Sequence, residues 1–512
     1  MATSRPKRLL IEVHKWLGIV LAPFFLMWFL SGLVLHFVAF PELTPDERLR
    51  ALPVLDAPSG CCLGPDAAAA RAGLAFDEAR FGLRGDEPVW RLRGRAPGTG
   101  DAARWHVVDA RTGALRPGLS TAAAAQLAET FSGRRALRAE RLERDQWTVP
   151  QALDPYRPLA RVDLDGADGL VLYVSLDAAE VVRDTRRAER FWNWIGAVPH
   201  WIYPTVLRRF PQAWHQVVVA LALPGVVLAA SGLMLGLWQL FLNRSRWIPY
   251  RQPWLRWHHI LGLVAGAFTL TWILSGLLSM NPWDVFTPRG AAAPELARWR
   301  GPPAAATSDP AAILARARAR GLRPRELELV RIDGQAWYRL DDELDQWLVR
   351  ADGAGGAADA DADAEPLAML PDATMTAALR RLRPDAGSPA LARLDAYDTL
   401  YYAAAPADTA GARHRRPLPV WRADWADGTT LYADPRAGRI LLRAEASGRW
   451  QRHLYHGLHT FDYAALTTRP WLRHALIVGM SLLGMGLCAT SCVIAWRVLR
   501  PGRPRRRNTP AC

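Results

Sequence analysis

The sequence predicts a membrane α-helical protein: a four-helix transmembrane bundle built from a duplicated helix–domain–helix unit, with two α+β domains on the outer side. Three observations carry this. Four stretches without a charged side chain, at 16–41, 210–243, 257–283 and 474–496, each exceed the roughly 20 apolar residues that cross a bilayer. Residues His14–Leu33 return as His258–Leu277 with 11 of 20 positions identical, including Trp28/Trp272 and Ser31/Ser275. Basic residues cluster before the first span, between the second and third, and after the fourth.

The chain is laid out in that order: transmembrane helix 1 at 10–40, a first outer domain at 41–195, helix 2 at 210–243, a loop at 244–256, helix 3 at 257–283, a second outer domain at 284–450, helix 4 at 471–497 and a basic tail at 498–512. The first span is too long for a signal-peptide core of roughly 7 to 15 apolar residues, and no Ala-x-Ala-like site follows it, so it reads as retained. Arg5, Lys7, Arg8 and Lys15, then Arg244, Arg246, Arg251 and Arg256, then Arg497, Arg500, Arg503, Arg505, Arg506 and Arg507 mark the cytoplasmic side. Both termini are then cytoplasmic and both long polar segments lie outside. These anchors account for part of the formal net charge of +15, and no basic and aromatic residues alternate along a soluble face, so nucleic acid is not an expected partner. Membrane lipid is.

The second and fourth spans repeat at a shift of 259, which superposes His200 on His459, Pro211 on Pro470, His215 on His474 and Tyr173 on Tyr432. The second copy is longer, and its low-complexity stretch "ADGAGGAADADADAEP" is the expected place for the insertion. In the outer segments, "WHVVDARTGAL", "LYVSLDAAEVV", "QWLVRADGAGG" and "TLYADPRAGRIL" read as strands with tight turns, and "TAAAAQLAETF" and "AAILARARARG" as amphipathic helices. The Asp-x-x-x-Gly spacing calls for Asp to bond the turn and Gly to take positive φ. Cys61 and Cys62 are adjacent, a geometry that bridges poorly, and no cysteine spacing resembles a zinc or iron–sulfur set.

The chemistry concentrates in the 12 histidines. By height along the spans, His14 pairs with His258 at the inner side and His215 with His474 at the outer side. His200 and His459 precede the outer pair, set off by Pro204 and Pro211, which break the helix. Interfacial hydrogen bonding is one reading of such histidines; ligation across a four-helix bundle, where two imidazoles saturate a haem iron, is the other. His36 falls opposite Met280 in the repeat and is set aside, and His106, His414, His453 and His456 have no matched partner.

The elements "VHKWLG…WFLSGL", "WIGAVPHWIY", "WHHILG…WILSGL" and "YHGLHTFDY" together resemble the PepSY-associated transmembrane family. The resemblance implies a bacterial inner-membrane protein with periplasmic PepSY-like domains, of the kind that includes siderophore-iron reductases using b-type haems. On it, His14, His215, His258 and His474 inherit the haem-iron ligand role, with His200 and His459 next, for an expected two b haems. The expected activity is reduction of a periplasmic ferric chelate. No Gly-x-Gly-x-x-Gly follows a strand, so the electron donor is a separate partner, quinol or a reductase. On this pairing the two sites stand roughly 33 Å apart at 1.5 Å rise per residue. The alternative is a haem-free envelope sensor or peptide-binding protein that uses its strand edges and ignores the span histidines. A transporter for the chelate is a third reading, disfavoured because the spans offer few polar groups besides those histidines.

Overall fold

The computed structural model describes residues 5–56, 60–95, 102–242, 248–343, 345–352, 365–402 and 416–500. Most of the low-complexity insertion, Arg244 and Arg246, His414, and the tail with Arg503, Arg505, Arg506, Arg507 and Cys512 lie outside the described residues. The chain divides into two compact units, one made of Met1–Phe40, Phe191–Val285 and Gln451–Cys512, the other of Pro41–Arg190 and Phe286–Trp450.

The first unit is a helix bundle. Its long helices are α1 (Arg5–Phe37), α2 (Pro211–Leu242), α3 (Pro253–Ser279) and α4 (Pro470–Leu499). All four are long and apolar enough to cross a membrane, and their outward faces therefore imply contact with lipid. α1 packs on α2 and α4, and α3 packs on the same two, so α1 and α3 face each other diagonally. Between the diagonals Leu21, Phe25, Phe29, Leu228 and Cys488 form a buried core, with Trp28, Phe268 and Trp272 packed against it. Small residues let the helices close: a Cβ at Gly484 would stand 2.4 Å from the Phe29 ring.

The predicted break before α2 is present. The chain makes a four-residue turn of helix at Ala197–His200, reverses at Ile202 with φ +50, makes a second turn at Thr205–Arg208 and enters α2 at Pro211. Before α4 it does the same by different means: a π-helical turn at Arg452–Gly457, a short helix at Leu458–Thr460, and reversal at Phe461 with φ +54. Ile202 and Phe461 are equivalent under the 259-residue shift. Non-glycine residues seldom adopt this left-handed backbone, and surrounding packing must hold it.

The second unit is α+β. Its strands are β1 (Ala75–Arg84), β2 (Glu87–Arg95), β3 (Arg104–Asp109), β4 (Ala136–Leu142), β5 (Leu159–Leu164), β6 (Val171–Ser175), β7 (Glu180–Thr185), β8 (Glu326–Ile332), β9 (Gln335–Asp341), β10 (Gln346–Arg350), β11 (Ala390–Leu394), β12 (Val420–Asp424), β13 (Thr430–Asp434) and β14 (Arg439–Ala444). The expectation of two separate small domains needs correcting. Each segment owns one antiparallel four-stranded sheet, β4–β7 or β11–β14, but β1–β3 and β8–β10 join into a single six-stranded sheet ordered β10-β9-β8-β1-β2-β3. The seam is the antiparallel pair β1/β8, with Arg80 opposite Glu328 and Phe81 opposite Leu327. Two edge strands satisfy each other there, which removes an otherwise exposed edge.

Charge reinforces the seam. Arg80 reaches Glu180 at 2.7 Å and Glu326 at 3.5 Å, Arg48 grips Glu326 with both nitrogens, and Arg339 bridges Glu328 and Asp341. Both predicted helices form: Thr121–Ser132 buries Ala124 and Ala128 on β4–β7, and Pro310–Ala319 buries Ile313 and Leu314 on the six-stranded sheet; a further helix, Asp372–Arg381, buries Met375 and Leu379 with residues of β12 and β13. Both Asp-x-x-x-Gly turns form as read. Asp109 and Asp434 each accept from the backbone two residues on at 2.8 Å, and Gly113 and Gly438 take φ +78 and +61. The sulfurs of Cys61 and Cys62 are bonded to each other, contrary to expectation, where the chain packs on the core of the six-stranded sheet.

Candidate functional site

Two histidine pairs cross the bundle, one toward each end of α1. At the basic end, His14 on α1 and His258 on α3 face each other with ring centroids 6.2 Å apart. Toward the other end, His200 and His459 stand at the same 6.2 Å. His215 and His474 do not meet. His215 Nε2 donates to the Met280 carbonyl at 2.9 Å, and His474 Nδ1 lies 2.6 Å from Nε2 of His36. Met280 and His36 are the repeat-matched residues at the ends of α3 and α1, so these two contacts are one contact made twice with different chemistry. The reason His200 and His459 enter the bundle is the broken helix: each sits on a short turn that folds back against a span before the chain reverses.

Each of the four paired rings is held by its Nδ1. His14 Nδ1 lies 3.2 Å from both Ser231 Oγ and the Leu228 carbonyl on α2. His258 Nδ1 lies 3.2 Å from Ser491 Oγ and 3.4 Å from Thr490 Oγ1 on α4, and both hydroxyls already donate to the Leu487 carbonyl. Leu228 and Ser231 fall on Leu487 and Thr490 under the 259-residue shift. His200 Nδ1 meets the Trp28 carbonyl at 3.2 Å and Ser31 Oγ at 3.3 Å, while His459 Nδ1 meets Ser275 Oγ at 3.0 Å and the Trp272 backbone. A carbonyl oxygen only accepts, so the ring proton belongs on Nδ1 and the Nε2 lone pair is left for something else.

Glycines fix where these rings stand. A Cβ at Gly232 would lie 2.5 Å from His14 Cε1, one at Gly32 would lie 2.9 Å from His200 Cε1, and the matched Gly276 has His459 Cε1 at 3.6 Å. The first two distances leave no room for a methyl group without moving the ring. The Ser-Gly of the repeated Trp-x-x-Ser-Gly-Leu element thus has a local purpose: the serine bonds the imidazole and the glycine makes space for it.

The donor set suits a metal held from two sides in a macrocycle. A metal–imidazole bond of about 2.0 Å on each side, plus roughly 1.1 Å from nitrogen to ring centre, separates trans imidazole centroids by about 6 Å, matching both pairs. Nδ1 bonded to a carbonyl or hydroxyl is the arrangement that orients a ligating histidine. Among the described residues no three or more His, Cys, Asp or Glu stand together as a metal-holding group, so a ligand that brings its own equatorial donors fits these pairs better than a bare ion. Around His14 and His258 lies a cavity of about 460 Å³, within the usual range for cofactor sites.

Sequence reasoning named His14, His258, His200 and His459, and gave the far role first to His215 and His474. It set His36 aside and missed Ser231, Thr490 and Gly232. The matched hydroxyls at 231 and 490 were a visible signal for these.

No curated protein matches the chain. The family described as the PepSY-associated TM region matches residues 11–351, two thirds of the 512-residue sequence, and with four apolar helices and these β-sheets the chain is a membrane protein that belongs to that family.

Proposed function

We propose that the protein is a duplicated, inner-membrane, b-haem electron conduit that reduces a ferric chelate at its periplasmic face, with both termini cytoplasmic. The observation that carries this is the matched geometry of His14/His258 and His200/His459, two pairs at one spacing with every Nδ1 held by a hydroxyl or carbonyl. Haem at each pair supplies a reversible one-electron couple. The four histidines would hold the group, and Ser231, Ser491, Ser31 and Ser275 fix their rings.

The pairing also eases the distance problem. His200 lies level with Ser31 and Gly32, so the two pairs are 17 or 18 residues apart along α1, about 26 Å at 1.5 Å per residue. That is some 7 Å less than a pairing of His215 with His474 requires. Phe25, Trp28, Phe29, Phe268 and Trp272 fill the interval with ring centroids 5.7 to 5.8 Å apart at the Phe25–Trp28, Phe29–Trp272 and Phe268–Trp272 contacts. These side chains make the interval an apolar aromatic core. Ferrous iron is the poorer Lewis acid for hard oxygen donors, so reduction loosens a ferric chelate and releases its metal. Electrons come from a separate donor, quinol or a reductase.

The test is proteoliposomes enclosing a chemical reductant, with ferric chelate and a colorimetric ferrous trap outside. The parent chain is expected to produce trapped ferrous iron, and His200→Ala plus His459→Ala to slow it at least tenfold. Equal rates in parent, double variant and empty liposomes would favour the haem-free sensor or peptide-binding reading.

A further inference from the structure

The cavity beside His14 and His258 contains more than the two facing rings. The residue after each histidine, Lys15 and His259, also lines it, and these two are matched by the 244-residue repeat. Lys7 lines it as well, seven residues before His14 and so on the same stripe of α1. His259 is only 8% exposed, and its Nε2 is buried without a hydrogen-bond partner among the described residues. The Tyr250 ring packs edge-on against it at 5.4 Å. A buried imidazole nitrogen is normally satisfied, so an orphan in a cavity wall calls for a ligand atom.

The charge of the wall says which atom. Lys7 stands 5.3 Å from the Trp238 ring and Lys15 pairs with Glu12, yet among the described residues no aspartate or glutamate belongs to the cavity lining itself. Two ammonium groups and an unmet imidazole facing one space favour an anionic acceptor, where such bonds are short and strong.

We propose that His259, with Lys7 and Lys15, binds the carboxylates of the tetrapyrrole held by His14 and His258, the propionate arms of a b-type haem. This rests on the haem reading of that pair. It assigns an orientation: the acidic edge lies toward Lys7, at the N-terminal end of α1, and the apolar edge toward Phe25. Lys15 and His259 then do the same work in the two halves, as the residues that follow matched ligands.

The experiment follows haem release instead of activity. Full-length protein is loaded with haem b or with haem dimethyl ester, whose propionates carry no charge. Transfer to excess apomyoglobin is timed, reading the phase that His14→Ala plus His258→Ala lacks. Haem b is expected to leave His259→Ala at least tenfold faster than the parent, and His259→Gln, which keeps a donor, near the parent rate. The ester is expected to leave the parent and both variants equally fast. If the parent holds the ester as firmly as the acid, or His259→Ala releases haem b at the parent rate, the propionate assignment is overturned while the haem reading stands. A parent that takes up no haem overturns both.

Discussion

His200 and His459 face each other at the same 6.2 Å ring separation as His14 and His258, although they sit on short turns outside the long helices. Equal spacing at two heights, reached by different backbone routes, is hard to attribute to packing alone.

Ser275 Oγ stands 3.0 Å from His459 Nδ1. Loss of such an orienting partner typically costs about 10- to 100-fold in metal-site affinity. Ser275→Ala is therefore expected to weaken haem retention at the far pair by that factor while leaving the near pair unchanged, as read by staged haem transfer. Ser31→Ala should act on the same pair through His200.

Gly232 is a spacer for His14. Ala at 232 would drive a methyl group to 2.5 Å from His14 Cε1, so the ring must move, at a cost of about 1–3 kcal/mol for an overpacked site. The expected result is an altered or lost near-pair haem band with the far-pair band intact. Gly479, with nothing within 4 Å of its would-be Cβ, is the control: Gly479→Ala should leave both bands and raise stability slightly.

The seam of the six-stranded sheet depends on Glu326. Burial pushes its carboxyl up, and the guanidiniums of Arg48 and Arg80 more than offset that, so it titrates well below the usual carboxylate range. Its contribution is present above the unfolded value near 4.3 and is lost as pH falls toward the depressed folded value. Glu326→Gln removes the carboxylate Arg48 grips and leaves buried Arg48 and Arg80 to share Glu180, and is expected to lose about 3–5 kcal/mol at neutral pH. Thermal unfolding of the detergent-purified protein should show that loss shrinking below pH 4.

Asp184 has the opposite sign. Burial first, then the like charges of Glu47 and Glu189, push its carboxyl up to about 6 against a partial opposing pull from Arg186. The folded state then holds a proton that the unfolded state has released, so stability falls as pH rises from about 4 to about 6, by up to roughly 3 kcal/mol. Asp184→Asn should raise the unfolding midpoint at pH 7.5, with the advantage gone by pH 4.

The repeat was legible because it is written in identical residues, and it correctly singled out Ser31/Ser275 and Trp28/Trp272. What it could not show was the path between Arg190 and Pro211. The break at Pro204 and Pro211 was legible, but not the direction it sends the chain: the reversal at Ile202 carries His200 inward while His215 turns to the Met280 carbonyl. The joined sheet was hidden for a related reason. β1 and β8 are some 250 residues apart in sequence, and each alone reads as an ordinary edge. The aromatic stretches near 145–158 and 394–405 are in their described parts built into the fold: Tyr173 bonds Asp145, and Tyr401 stacks on Tyr432 at 5.2 Å.

The most direct test is the visible spectrum of the purified chain, oxidised and dithionite-reduced, with a pyridine haemochrome count per chain in parent and three double variants. The account predicts two b haems in the parent, one after His14→Ala plus His258→Ala, one after His200→Ala plus His459→Ala, and two after His215→Ala plus His474→Ala. A featureless parent spectrum from protein made with ample haem would contradict it. So would loss of a haem in the His215/His474 variant with none lost in the His200/His459 variant.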